Sequence, residues 1–224
     1  MKILFLGTGA ADWQKDKKQT NSFFRKNSSV LIDGCILIDP GPHVIEAINE
    51  YNVDVKSIKY IINTHKHSDH FNEENLKYLI DNGADYIEFD NECEKQIGTY
   101  TVKSLKANHT IETMHYIISD GKSRMFYGLD GAWLMYDEVQ AIKENPVDFA
   151  VFDATIGFID GDYRVFEHNN LNMVIEMKKT LSFHIKRFCI SHMARTLHDN
   201  HDALSKDMAK HGIVVAFDGM LTEF

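Results

Sequence analysis

The chain opens with an apolar run, Ile3 to Leu6, that stops at Gly7-Thr8-Gly9. This pattern predicts a strand ending in a tight turn. Two more apolar runs, Ser29 to Asp33 and Cys35 to Asp39, stand on either side of Asp33-Gly34. Asp-Gly between short apolar runs is a strong hairpin signal. Asp39-Pro40-Gly41-Pro42 reads as a turn, with a helix following over His43 to Tyr51. Ile58 to Asn63 has the character of a buried strand and runs directly into a group of histidines. A helix starts near Asn72-Glu73-Glu74-Asn75 and continues to Asp81. Thr99 to Ala107 alternates as a strand does and ends at Asn108-His109. His115 to Ser119 and Arg124 to Gly128 flank Asp120-Gly121 as a second hairpin, whose far strand ends at Asp130. Helices are predicted over Asp137 to Glu144, Asn170 to Thr180 and Asn200 to Lys210. Strands are predicted over Phe149 to Phe152, Phe188 to Ser191 and Ile213 to Phe217, the last before Asp218-Gly219.

The pattern shows no internal repeat, no low-complexity segment and no linker rich in Gly, Pro or Ser, so residues 1–224 read as one domain. Hairpins come first, and strands alternating with helices follow. That order suits an α/β architecture of two mixed sheets packed together and flanked by helices. His and Asp recur where predicted strands end. In layered α/β folds, such positions are where ligand sites gather, on loops held by a rigid scaffold.

Composition narrows the chemistry. A chain of 224 residues buries a sizeable core without staples, so a metal here is expected to serve catalysis rather than folding. The net charge of -9 lacks the basic footprint of a non-specific nucleic-acid binder. It leaves room for an anionic substrate, because a metal pair makes one pocket locally positive. Cys35, Cys93 and Cys189 are far apart and form no Cys-x-x-Cys pair. They argue against a disulfide framework or zinc ribbon and suit a reducing cytoplasm. The first apolar run is too short for a signal peptide, and no run approaches the ~20 residues of a membrane span. A membrane is therefore not an expected partner. Gly7-Thr8-Gly9 lacks the third glycine of a dinucleotide loop and the Gly-Lys-Ser/Thr ending of a phosphate loop.

The strongest chemical signal is His65-Lys66-His67-Ser68-Asp69-His70, directly after the strand Tyr60-Ile61-Ile62-Asn63-Thr64. His65 and His67 are two apart, which in extended chain places both imidazoles on one side. Asp69 and His70 follow in a turn. Donors this closely spaced serve two adjacent ions better than one. Imidazole and carboxylate suit Zn, Mn or Fe. Two ions need more ligands, and His109, Asp130 and His192 each follow a predicted strand. Asp130 is placed to bridge with one carboxylate oxygen, and His109 and His192 to complete one ion each. Asp39, Thr64, Asp153 and Asp218 are candidate partners for the second N–H of a ligand histidine. His43, His115, His184, His198, His201 and His211 lack such company and read as ordinary surface or half-buried histidines.

The run from His65 to His70 resembles the signature of the metallo-β-lactamase superfamily, and Asp39-Pro40-Gly41 resembles its strand-end Asp-x-Gly. The later half is similar to the phosphoribosyl cyclic phosphodiesterases of the PhnP type. The similar pieces are Asn108-His109, Leu129-Asp130, Phe152-Asp153-Ala154-Thr155, His168-Asn169-Asn170-Leu171-Asn172, Ile190-Ser191-His192 and Ala216-Phe217-Asp218-Gly219-Met220. The resemblance implies a four-layer αββα sandwich and a dinuclear centre of two divalent ions. It implies that His65, His67 and His109 bind the first ion, that Asp69, His70 and His192 bind the second, and that Asp130 bridges. Asp69 and His168 carry the catalytic roles, His168 matching an active-site histidine that is not a ligand. The implied reaction is opening of a cyclic phosphate, such as phosphoribosyl 1,2-cyclic phosphate, by a metal-bridging hydroxide. The expected partner is a small phosphate ester rather than nucleic acid, and a homodimer is allowed.

One departure concerns the loop Ala10 to Ser28. In the PhnP type this loop often carries a cysteine-rich structural zinc site, and here it contains no cysteine. No structural zinc is expected. Three rivals use the same fold. A lactone or β-lactam hydrolase, or a nuclease, would use the same ions, but lactone and β-lactam branches do not share the His168 region. A di-iron redox enzyme carries Glu where His67 stands. A non-catalytic module would have lost ligands. Structural zinc sites are rich in thiolate. Replacing Cys35, Cys93 and Cys189 together by Ser or Ala is therefore expected to leave the metal content unchanged. Loss of one metal equivalent by elemental analysis would reveal a thiolate ligand.

Overall fold

The computed structural model describes residues 1–13, 24–198 and 200–224. In chain order the strands are β1 (Lys2–Gly7), β2 (Ser29–Ile32), β3 (Ile36–Ile38), β4 (Tyr60–Ile62), β5 (Asp85–Tyr86), β6 (Glu94–Ile97), β7 (Tyr100–Lys106), β8 (Met114–Ser119), β9 (Arg124–Gly128), β10 (Val147–Asp153), β11 (Ile185–Ser191), β12 (Ile213–Val215) and β13 (Leu221–Glu223). The α-helices are α1 (Val44–Glu50), α2 (Glu73–Asp81), α3 (Tyr136–Glu144), α4 (Leu171–Leu181) and α5 (His201–Ala209). The chain forms two compact units, residues 1–89 with 216–223, and residues 90–215 with 224.

The first unit holds a six-stranded sheet in the order β13-β1-β2-β3-β4-β5. The β2–β3 hairpin has the register Val30↔Ile38, and its turn uses Asp33 at φ 46° and Gly34 at φ 70°. Positive φ at both turn residues matches the twist of the flanking strands, which is why Asp-Gly works there. β3, β4 and β5 run parallel. β2 and β3 are buried at every residue, as apolar runs without alternation require. Leu6, Leu31, Leu37, Ile48, Ile61 and Leu79 share one apolar cluster that joins the sheet to α1 and α2. Asn72 caps α2 by accepting from the Asn75 amide at 2.9 Å, which satisfies an otherwise orphaned helix N–H.

Residues 216–223 complete this unit. β13 pairs antiparallel with β1, Lys2 opposite Glu223. Asp218 is anchored behind it, accepting from the Thr8 hydroxyl and the Lys26 amide, both at 2.6 Å. The buried Arg25 guanidinium donates to Thr8 Oγ1 at 2.6 Å and to the Ala216 carbonyl at 2.9 Å.

The second unit holds a seven-stranded sheet in the order β12-β11-β10-β9-β8-β7-β6. β9 to β12 are parallel, and β6 to β9 antiparallel. Its core centres on Phe126, Phe152 and Phe188, with Phe152 and Phe188 stacked at 5.5 Å. Asn170 and Asn200 cap α4 and α5 by accepting from the Met173 and Ala203 amides.

The expectation of two mixed sheets flanked by helices holds. Three strands, β5, β6 and β13, were not anticipated, and β12 stops at Val215 rather than Phe217. β5, β6 and β13, like β12, lie at sheet edges. An edge strand is half solvated and carries charge, so its apolar alternation is lost. The expected loop Ala10 to Ser28 falls partly outside the described residues. Its described C-terminal end pairs with the segment just after β1 through the bridge Gly9↔Asn27. Among the described residues no helix is long and apolar enough to cross a membrane.

Candidate metal centre

In the first unit, β4 delivers the chain into Thr64-His65-Lys66-His67-Ser68-Asp69-His70. The organiser is Asp39, fully buried at the end of β3. Its Oδ1 accepts from Asn63 Nδ2 at 2.8 Å, the Thr64 amide at 2.7 Å and Thr64 Oγ1 at 2.9 Å. Its Oδ2 accepts from His70 Nδ1 at 2.8 Å. Thr64 donates its only hydroxyl proton to this carboxylate, so it accepts from His65 Nδ1 at 3.0 Å. In both histidines Nδ1 thereby carries a hydrogen and the ring orientation is fixed, with Nε2 turned away from Asp39 and Thr64. His65 Nε2 lies 2.9 Å from His67 Nδ1, and His70 Nε2 lies 3.4 Å from Asp69 Oδ2. Gly41 lets the Asp39 turn approach closely, since a Cβ there would sit 2.5 Å from the Asp69 carbonyl oxygen.

The second unit has its own organiser, Asp153, fully buried at the end of β10. Its Oδ1 accepts from the amides of Thr155 and Asn169, both at 3.0 Å. Its Oδ2 accepts from the Asp130 amide at 3.2 Å, Thr155 Oγ1 at 3.0 Å and His168 Nδ1 at 2.9 Å. The Thr155 hydroxyl in turn faces His192 Nδ1 at 2.8 Å. His109 donates from Nδ1 to the Glu167 carbonyl at 3.0 Å. His192 and His109 thus repeat the pattern of the first unit, one nitrogen held and Nε2 turned elsewhere. Both turn it toward Asp130. His192 Nε2 is 3.2 Å from Asp130 Oδ2, and His109 Nε2 is 3.8 Å from Asp130 Oδ1. Asp130, Asp153, His168 and His192 offer ligand atoms that all lie within 4.8 Å of one another.

A family model described as the metallo-beta-lactamase superfamily matches residues 23–72. The metallo-β-lactamase fold protein YhfI from Bacillus subtilis superposes with a TM-score of 0.79 at 16% identity, covering 100% of this chain and 99% of its own. The chain has the metallo-β-lactamase fold. A diphosphatase from the PhnP family superposes with a TM-score of 0.76 at 18% identity, covering 100% of this chain and 97% of its own. The short form of human tRNase Z does so with 0.71 at 16%, covering 100% and 99%. No curated protein matches the sequence.

Within this metallo-β-lactamase fold the second organising carboxylate, Asp153, favours its charged form. Burial works against ionisation of Asp153, but His168 and His192 outweigh it and hold its carboxyl well below the usual range. Burial likewise opposes charge on His168, yet Asp153 and Asp130 raise its pKa above the ordinary histidine value. A cation bound at Asp130 would oppose that rise.

Three of these strand-end residues carry backbone strain. Asp39, Asp130 and His192 have φ of 65°, 57° and 61°, a left-handed conformation that disfavours any residue with a Cβ.

Two sequence expectations change. Asp218 does not partner a candidate ligand; it anchors Thr8 and Lys26. His43 and His115, read as surface or half-buried, are buried. His43 Nδ1 accepts from the Asn27 amide at 3.1 Å. His115 meets Glu138 at 2.6 Å, a pair 23 residues apart that no local motif announces.

The strain is measurable. With metal removed by chelator, Asp130→Gly is expected to be more stable than Asp130→Ala by about 1 kcal/mol, because glycine relieves the left-handed cost at some entropic expense. Denaturant titration checks this. Equal stability would mean that the turn relaxes once the carboxylate is gone.

Proposed function

We propose that this chain is a metal-dependent phosphodiesterase that opens a small cyclic phosphate ester. The observation that carries the reading is the shared state of four histidines. His65, His70, His109 and His192 each have Nδ1 engaged by a hydroxyl, carboxylate or carbonyl, with Nε2 turned toward another candidate ligand. Ligand histidines are held in this way, because the outer partner fixes the tautomer and ring orientation. The donors are imidazole and carboxylate with no thiolate, which fits Zn, Mn or Fe. The proposed set is His65, His67, Asp69, His70, His109, Asp130 and His192, serving two ions. Asp130 is the proposed bridge. Its two oxygens face different histidines, His109 and His192, which supports the reading that it would help hold both ions.

Two such cations, when bound, neutralise a phosphate and lower the pKa of a shared water toward neutrality. The residues supply the remainder. Asp39 and Asp153 keep the ligand rings oriented. Asp153 also holds the Nδ1 proton of His168, which leaves His168 Nε2 to donate toward the leaving oxygen. A cyclic phosphate releases an alkoxide, a poor leaving group, so a proton delivered there lowers the barrier. Resemblance to a PhnP-family diphosphatase and to tRNase Z in fold supports phosphate over a lactone or β-lactam. The net charge of -9 favours a small ester over a nucleic-acid chain.

Elemental analysis after purification without chelator is expected to give close to two metals per chain. A reproducible single equivalent at saturating supply would sink the dinuclear reading. A panel running from ribosyl 1,2-cyclic phosphate to 2',3'-cyclic nucleotides and lactones tests the substrate class, and turnover confined to lactones would overturn it.

His168→Ala is expected to keep both metals and to lose on the order of 10²-fold in kcat on alkyl esters. The loss should shrink for a p-nitrophenyl ester, whose leaving group needs no proton. An equal loss on both would indicate phosphate binding instead, and loss of metal would make His168 a ligand.

A further inference from the structure

Behind the turn that presents Asp130 lies a buried polar chain that the proposed chemistry does not use. His115 sits on β8 at 1% exposure, and Glu138 on α3 at 1%. His115 Nδ1 meets Glu138 Oε1 at 2.6 Å. His115 Nε2 faces the Leu129 carbonyl at 3.1 Å. The other carboxylate oxygen of Glu138 accepts from the Met135 amide at 2.6 Å. A carbonyl only accepts, so Nε2 must carry a hydrogen. The chain therefore runs from the Met135 amide through Glu138 and His115 to Leu129, the residue before Asp130.

The backbone is shaped to receive this ring. A Cβ on Gly131 would lie 2.6 Å from His115 Cε1 and 2.8 Å from Nε2. Only glycine lets the chain after Asp130 close over the imidazole. The turn between these contacts contains Asp130 at φ 57°, a conformation its surroundings must enforce. Burial opposes charge on His115, but Glu138 outweighs it and raises the ring's pKa, consistent with the proton residing in this pair.

We propose that His115, oriented by Glu138, is a positioning residue for Asp130: its hydrogen bond to the Leu129 carbonyl, beside Gly131, holds the Asp130 turn in its strained conformation. A buried ion pair is weak evidence for stability on its own. Its place directly behind a ligand turn gives it a specific use, as outer-sphere partners typically govern metal affinity by 10–100-fold. The proposal rests on the reading of Asp130 as a metal ligand, but not on which ester is cleaved.

The test compares Glu138→Gln with Glu138→Leu in the full chain, by competition for Zn²⁺ against a chromophoric chelator. Glutamine keeps every hydrogen bond. Its oxygen accepts from Met135, and its amide donates to a neutral His115, whose Nε2–H still reaches Leu129. Glu138→Gln is expected to hold Zn²⁺ within a few-fold of the parent. Glu138→Leu is expected to weaken it 10–100-fold. Gly131→Ala, which pushes the turn off the ring, is expected to match the leucine variant. Equal affinity in all three would overturn the proposal, as would equal weakening of both Glu138 variants. Should Glu138→Leu fail to fold, ¹⁵N spectra of the parent decide the point. A protonated Nε2 on His115 in the metal-free chain supports the proposal, and an unprotonated Nε2 overturns it. Because the readout is metal affinity, failure of the phosphodiesterase reading leaves this result interpretable. An Asp130→Ala control with undiminished Zn²⁺ affinity would instead remove the premise.

Discussion

A buried carboxylate must have its lone pairs satisfied, and the metallo-β-lactamase fold of this chain is arranged around two that are. Asp39 and Asp153 have no solvent to satisfy their oxygens. Isolated ions in such surroundings are very costly unless compensated. Each is surrounded by amides, a threonine hydroxyl and a histidine N–H. The requirement acts outward. By demanding donors, each carboxylate fixes a threonine, and each threonine then accepts from a further histidine, His65 in one unit and His192 in the other. Tautomers are thus set by electrostatic need before any ion is considered.

The same two positions explain why much of the candidate site was legible in the sequence. His65 to His70 are contiguous, and their spacing at a strand end carries its own meaning. Asp130 and His192 could be named as candidates because the strands before them, β9 and β11, are apolar runs with clear stops. Asp39 and Asp153 could be named as partners for the same reason. Central strands, buried on both faces, announce themselves through Val, Ile, Leu and Phe. Edge strands do not. β6 reads Glu-Lys-Gln-Ile, and β5 is two residues long, so neither carries a period to detect.

The His115–Glu138 pair was illegible for a different reason. His115 stands between Met114 and Tyr116 in a strand where nearly every position is buried, and nothing in that pattern separates a packed imidazole from a solvated one. Glu138 lies in the first turn of α3, where an acidic residue is the ordinary choice to complement the helix dipole. Each residue has a bland local explanation. Only tertiary structure shows that the two explanations are one. The misreading of Asp218 has the mirror cause. An Asp-Gly at a strand end looks like the candidate ligand turns, but its carboxylate is already committed to Thr8 and the Lys26 amide.

The return of residues 216–223 to β1 has a consequence for the order in which the molecule is made. Thr8 and Asp218 are 210 positions apart, yet they belong to one unit. During vectorial synthesis the first sheet therefore emerges without one of its edge strands. Arg25 and Thr8 wait for their acceptors while the entire second sheet is translated. Closing a contact across so long a loop costs entropy that grows only logarithmically with length, but it slows the search. The first sheet to leave the ribosome is completed only after the second, and until β13 is made β1 presents an open edge rather than its mature face.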